Sequence, residues 1–218
     1  MLCPPSCSCT LRRPLRSVMG ASRALEELVL LDLPALEQQL HRDRVLAVAP
    51  GRIEPGGRSR NPAGPVFSDF AAFLSSRPAG QPFAFWFGSQ DPHRPYEEGS
   101  GAASGIDLAS IRVPPFLPDT PEVRGDLADY FFEVQRFDRE VGEILERLRI
   151  AGELDNTLVV ITADNGMPFP RAKANVYDTG AHVPLAMRWP ARVRTGMTAD
   201  GFVSLSDLAP TFLQAAGL

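Results

Sequence analysis

The sequence predicts an α/β fold, a sheet layered against helices. Three observations carry that expectation. Two apolar runs, PFAFWFG at residues 82–88 and TLVVITA at 157–163, have the composition of strands buried on both faces, as in a parallel sheet. Between them Val123, Leu127, Tyr130, Phe131, Val134, Phe137, Val141, Ile144, Leu145 and Leu148 recur every three or four residues, the pattern of one long amphipathic helix. A third apolar run, VPLAMRW at 183–189, precedes a last helix over 207–216. Strand, helix, strand, strand, helix is the order of a layered α/β domain.

Residues 1–23 are rich in Cys, Pro, Ser and Arg without any sustained period, and read as a disordered leader. Residues 24–44 predict two short helices divided at Pro34, and 50–65 (PGRIEPGGRSRNPAGP) a loop dense in Pro and Gly. Phe67, Phe70, Ala71 and Leu74 fall at helical spacing and predict a short helix. The first strand ends in SQDPHRPY, and residues 97–118 form a long irregular connection.

The long helix has its signals in place. Thr120 can cap it, Pro121 suits the first helical position, and Gly152 can end it in a left-handed cap. Its wet face carries Arg136, Arg139, Glu140 and Arg147. In the last helix Asp207 is the expected cap, which puts Pro210 at the third helical position, where a missing N–H costs nothing.

Bulk composition excludes several classes. The 218 residues carry a net charge of −4, which gives no electrostatic footprint for nucleic acid. No window approaches the roughly 20 uninterrupted apolar residues of a membrane span, so no membrane partner is expected. The three cysteines, Cys3, Cys7 and Cys9, are too few and too clustered for a disulfide framework. No apolar h-region marks a signal peptide, so the sequence as written reads as cytoplasmic.

Two of the predicted strands run into polar clusters. One is Asp91-Pro92-His93-Arg94 and the other Asp164-Asn165-Gly166. In open α/β sheets ligands bind beyond the carboxyl ends of strands, so these clusters are expected to converge at one rim. Adjacent Asp164 and Asn165 can give oxygen ligands to a hard cation such as Ca²⁺, with Gly166 turning the chain sharply past it. The same tripeptide is also an ordinary turn at a strand end. Lys173 can pair with an anionic substrate, and His93 can donate a proton or bind an oxyanion. Each of these residues alone also has a plain solvated reading. His182 and His41 have no context that favours chemistry.

The stretches FWFGSQDPHRPY, VPPFLPDTPEVRGDLADYFFEVQRFDREVGEIL and LDNTLVVITADNGMPFPRAKANVYDTGAHVPLAMRWP together resemble the sulfatase family, nearest its heparan N-sulfatase (sulfamidase) branch. The resemblance covers residues 34–218. It implies a partial three-layer α/β/α sandwich of the alkaline-phosphatase-like kind, with residues 24–218 as part of a catalytic domain. It implies Ca²⁺ held by Asp164 and Asn165, the second of the family's pairs of ligands. It further implies that Lys173 contacts the sulfate and that His93 binds sulfate and assists the leaving group, with Arg94 beside it in substrate binding. The implied activity is hydrolysis of sulfate esters or N-sulfated sugars, on a sulfated carbohydrate or a small sulfate ester. The nucleophile would be the hydrate of a formylglycine made from cysteine.

The sequence departs from that pattern in its first third. It has no Asp-Asp pair, and Cys3-Pro4-Pro5-Ser6-Cys7 carries Cys7 where the Cys-x-Pro-Ser-Arg motif has arginine. Cys3 is therefore a formylglycine candidate only as an echo of the motif. The family's Gly-Lys segment is replaced by RVLAVAPG. Full relatives usually carry export signals, which would make the protein periplasmic or extracellular if its true N-terminus lies upstream. Two readings of other kinds stay open: a non-catalytic remnant keeping an anion pocket at Lys173 and His93, and a metal-dependent phosphohydrolase of the same fold.

Overall fold

A computed structural model describes residues 50–53 and 67–218. The expected leader, the two helices at 24–44, His41 and the three cysteines lie outside the described residues. The described elements run β1 (Pro50–Ile53), α1 (Phe70–Ser76), β2 (Ala84–Phe87), α2 (Ser100–Ala103), α3 (Pro121–Ile150), β3 (Val159–Thr162), α4 (Asp178–Ala181), β4 (Leu185–Arg188) and α5 (Leu208–Ala215). Short 3₁₀ turns cover Leu108–Ser110, Leu154–Asn156 and Leu205–Asp207.

Strand β1 corrects the expectation of a loop throughout 50–65. It pairs parallel with β2, Pro50 opposite Ala84 and Ile53 opposite Phe87. Pro50 is tolerated because it is the first residue of the strand, where a missing donor breaks no interior ladder bond. Strands β3 and β4 pair antiparallel, from Val159 opposite Arg188 to Thr162 opposite Leu185. The described strands thus form two separate two-stranded sheets.

Full burial of the strands on both faces is not what the structure shows. Burial along β2 alternates, and Trp86 is 64% exposed. The inward residues pack by period two: Phe85 lies 4.8 Å from Phe70 and 4.7 Å from Phe73 of α1, centroid to centroid, and Phe87 stacks on Phe137 of α3 at 6.0 Å. Strand β3 is half-buried along its length. Its neighbouring residues serve different clusters, Val159 packing toward Phe70, Phe73 and Leu148 and Val160 toward Met187, Trp189 and Val193.

Helix α1 starts three residues later than its apolar spacing predicts. Asp69 accepts from the Ala72 N–H at 2.8 Å, and this cap sets the start. Helix α3 follows its signals closely. Thr120 Oγ1 accepts from the Val123 N–H at 3.4 Å and Pro121 opens the helix. At its other end Gly152 adopts φ +71°, its N–H donates to Arg149 O at 3.1 Å, and the Glu153 N–H donates to Leu148 O at 3.0 Å. That is a Schellman closure, which satisfies carbonyls the helix would otherwise leave orphaned.

The last helix is capped differently from expectation. Ser204 caps the 3₁₀ turn, and Asp207 accepts from the Ser204 N–H at 2.8 Å to complete a capping box. Asp207 makes no side-chain cap to α5 itself, although Pro210 does sit in its third position.

Three apolar clusters hold these elements. Phe70, Phe73 and Leu148 join α1 to the end of α3 and to β2. Met187, Trp189 and Val193 pack with Leu158 and Val160 under α5. Ile111, Leu127, Ala128 and Phe169 join the 106–117 connection, α3 and the loop after β3. That third cluster positions the site described next.

Candidate functional site

The loop after β3 looks poorly suited to packing, yet one residue anchors it. Phe169 is 7% exposed and meets Tyr130 of α3 edge to face at 5.8 Å. Around this anchor the backbone closes on itself. The Phe169 and Lys173 N–H groups both donate to Met167 O, at 2.8 and 3.0 Å, and Ala172 N–H donates to Phe169 O at 3.1 Å. Asn175 Nδ2 donates to Lys173 O at 3.1 Å. Arg171 and Ala174, on either side of Lys173, both adopt φ +61°. Left-handed backbone at residues with a Cβ is held only by surrounding structure, and it concentrates at functional loops.

The loop's far end folds back on its start. The Gly166 N–H donates to Gly180 O at 3.1 Å, and a Cβ on Gly166 would lie 2.0 Å from Thr179 O. Glycine is therefore required by close approach of backbone. Asp164 is exposed, Asn165 and Lys173 are half-buried, and His182 is exposed and 3.5 Å from Asp178.

The second polar cluster meets this loop through Arg94. Its Nε donates to Pro168 O at 3.2 Å, and its other two nitrogens donate to Asp126 of α3 at 2.8 and 2.5 Å. The guanidinium also lies over Tyr96 at 4.6 Å and over Phe169 at 4.9 Å. The carboxylate of Asp126 holds the guanidinium charge more firmly still, above its ordinary range. Arg94 thus ties the segment after β2 to the loop after β3. His93 is exposed in this strap, between the cis peptides Asp91–Pro92 and Arg94–Pro95. Its Nδ1 is 2.6 Å from Arg94 O. A carbonyl only accepts, so Nδ1 carries the proton and Nε2 is the ring's available atom.

Beneath the strap lies a carboxylate cluster that the sequence pattern missed. Asp91 is 3.3 Å from Arg136 Nε, and Arg136 also holds Glu133 at 3.1 Å. Burial, then the neighbouring Asp91, pushes the Glu133 carboxyl above the usual range; burial and Asp91 also raise Glu140. Glu140 is accordingly half-buried against Ser89, at 3.4 Å, not on the wet face. The available signal was Glu133 itself, an acid on the apolar stripe between Tyr130 and Phe137.

A cavity of about 260 Å³ opens beside the Lys173 loop, lined by Phe116, Arg171, Tyr177, Asp178 and Thr179. None of these residues stood out in the sequence, because an exposed Arg or Tyr in a polar loop has no periodic signature. Asp164 and Asn165 offer hard oxygen donors, two of the roughly six to eight that Ca²⁺ takes. Among the described residues no group of three His, Cys, Asp or Glu could hold a metal. The donor pair suits a hard cation in kind, and is a part share of a site in number.

The chain has relatives of known kind. Over 108 residues it is 44% identical to human N-sulphoglucosamine sulphohydrolase, a match covering 49% of this chain and 22% of that protein. Over 96 residues it is 34% identical to N-acetylglucosamine-6-O-sulfatase of Bacteroides thetaiotaomicron, covering 42% of this chain and 17% of the relative. The matched stretches therefore span about a fifth of these relatives' lengths. Among solved structures, one described with the metabolism of multiple glycosaminoglycans by Bacteroides thetaiotaomicron superposes with TM-score 0.58 at 25% identity, over 66% of this chain and 32% of that one. A Bacteroides fragilis structure shares the fold at TM-score 0.51 and 24% identity, over 63% of this chain and 33% of that one. The fold is a partial α/β fold of the alkaline-phosphatase-like kind. The family model for sulfatases matches residues 59–218, most of the sequence, and the chain belongs to the sulfatase family.

Proposed function

We propose that the chain is part of a sulfatase that hydrolyses the sulfate of a sulfated carbohydrate, with N-sulfated glucosamine as the favoured unit. The 44% identity to human N-sulphoglucosamine sulphohydrolase supports that substrate class. The observation that carries the reading is the Arg94 strap, which ties the His93 loop to the Lys173 loop. A sulfate beside both loops would meet the Lys173 ammonium, a compact charge suited to an oxyanion. In its protonated form His93 would donate from Nε2 to the leaving nitrogen or oxygen, with Nδ1 fixed on the Arg94 carbonyl. Three of the five guanidinium N–H groups of Arg94 are engaged, so it orients the two loops and has donors left for substrate.

Sulfatase membership implies a divalent metal cofactor. We assign Asp164 and Asn165 as its partial ligands and Ca²⁺ as the ion; a bound cation would stabilise charge developing on sulfate. Cys3 remains the candidate formylglycine position.

The test measures sulfate released by the full chain with Ca²⁺ from glucosamine N-sulfate and from 4-nitrophenyl sulfate. Release that falls about a hundredfold or more in His93→Ala, and also in Lys173→Ala, is the expected result. No release, with retained sulfate binding that depends on Lys173, would leave an anion-binding module. Turnover of 4-nitrophenyl phosphate but not of either sulfate would make the protein a phosphohydrolase.

A further inference from the structure

His93 lies between two clips that fasten its strap to α3, and the clips have opposite polarity. Arg94 gives the strap's cation to Asp126 of the helix, while Asp91 gives the strap's anion to Arg136. The helix partners stand ten positions apart, about 15 Å along its axis, so together they fix the strap's direction as well as its place. The first clip is a fork open to water. The second is shielded on its acidic side, where the Asp91 and Glu133 side chains are 15% and 8% exposed.

This second clip is short of positive charge. Arg136 faces Asp91 at 3.3 Å and Glu133, one turn back on its own helix, at 3.1 Å. Glu140 approaches from the next turn and accepts from Ser89 Oγ at 3.4 Å; the same oxygen accepts from the Asp91 N–H at 3.1 Å. The Tyr96 phenol stands near Glu133, and Glu143 adds a carboxyl beyond Glu140. One exposed guanidinium thus serves three carboxyls, Asp91, Glu133 and Glu140. Asp91 Oδ2 is enclosed and accepts no hydrogen bond among the described residues, its contact with Arg136 Nε being one of charge alone. The Glu133 carboxyl stands against that of Asp91, and two carboxylates so placed ionise together only at a cost. A single proton between them turns the repulsion into a hydrogen bond and gives the enclosed pair a donor.

We propose that Glu133 and Arg136 are positioning residues for His93, seating its strap on α3 through Asp91 with one proton held between the Asp91 and Glu133 carboxyls. The catalytic consequence rests on the proposed hydrolase reading, in which His93 serves the leaving group; the seat itself does not. Loss of the proton leaves two anions on one guanidinium. Glu133 is fixed on a helix, so the strap is the partner that moves. Burial and Asp91 raise the Glu133 carboxyl above its ordinary value. The seat is therefore complete at low pH and opens as pH rises through the raised range.

Amide hydrogen exchange of the full chain, corrected for base catalysis, tests this at the His93 N–H, which donates to Gln90 O at 2.7 Å. Its protection is expected to fall about tenfold as pH rises through that range, while the Glu153 N–H at the end of α3 stays protected. Glu133→Gln, neutral at every pH and still a donor, should keep His93 protected throughout. Glu133→Ala and Arg136→Gln should each lose about tenfold already at low pH. A role in packing alone would be restored by glutamine without altering the pH dependence. Protection flat with pH in the unaltered protein, a Glu133→Gln profile like the parent's, or no loss in Arg136→Gln would each overturn the seat. In sulfate release from glucosamine N-sulfate, Glu133→Ala should lower kcat about tenfold with KM little changed, because Lys173 still binds. An unchanged kcat would overturn the positioning role. His93 protection that follows Glu133 with no sulfate released would sink the hydrolase reading and uphold the seat. Sulfate release with protection indifferent to Glu133 would do the reverse.

Discussion

Arg94 Nε donates to the carbonyl of Pro168 at 3.2 Å, joining a strap that follows one strand to a loop that follows another. The residues lie 74 positions apart in sequence, and the same guanidinium forks onto Asp126. Through this side chain the strap that carries His93 is joined to the loop that carries Lys173.

Lysine cannot reproduce that arrangement, since its ammonium is a point charge without a fork. Arg94→Lys should lower stability by about 1–2 kcal/mol, discounted because the pair is 40% exposed on each side. A double-mutant cycle with Asp126→Asn, read by urea unfolding, should show coupling. Strictly additive losses would mean that the fork contributes nothing.

Gly166→Ala puts a Cβ 2.0 Å from Thr179 O, a backbone atom that cannot swing aside. The loop must open, at a cost of about 1–3 kcal/mol or more. Hydrogen exchange should report the change first at the Gly166 amide, which loses Gly180 O. Unaltered protection there would show that the close approach is not needed.

Asp129 is 4% exposed on α3, and its carboxylate accepts from the Gly99 and Gly101 N–H groups at 3.0 and 2.8 Å. It fixes the start of α2, where Gly101 lies against Ala128 too closely for any Cβ. Asp129→Ala leaves those donors unsatisfied and should cost about 2–3 kcal/mol. A thermal midpoint equal to that of the parent would remove this role.

Acidity provides a fourth measurement. Glu133 and Glu140 have carboxyls raised above the ordinary glutamate value by burial first, then by Asp91. The folded state therefore holds protons that the unfolded chain has released. Their contribution to stability is fully present below the ordinary glutamate value and is lost as pH rises through the raised folded values. Asp69, Asp119, Glu122 and Glu146 are lowered by hydrogen bonds and act in the opposite sense, at pH below the ordinary carboxylate range. Glu133→Gln should flatten the decline above that range in pH-dependent urea melts. A decline as steep as the parent's would assign it to other groups.

Much of this was legible in the residues. Thr120, Pro121 and Gly152 delimit α3 because caps and left-handed turns depend on a few neighbours in sequence. The contact between the segments after β2 and β3 was not legible, because Arg94 and Pro168 lie 74 positions apart and meet through one side chain. The start of α5 was less legible: Ser204 and Asp207 compete for the same few N–H groups, and either assignment is locally sensible.

What the sequence by itself determined is the family, the α/β class and the long helix, since these rest on local pattern and residue type. The tertiary structure alone decided the strand pairing that made Pro50–Ile53 a strand, the exposed face of Trp86, the acid cluster around Asp91 and the cavity at Arg171. Each of these depends on which atoms from distant positions become neighbours, and burial, charge repulsion and cavity shape exist only after the chain has closed.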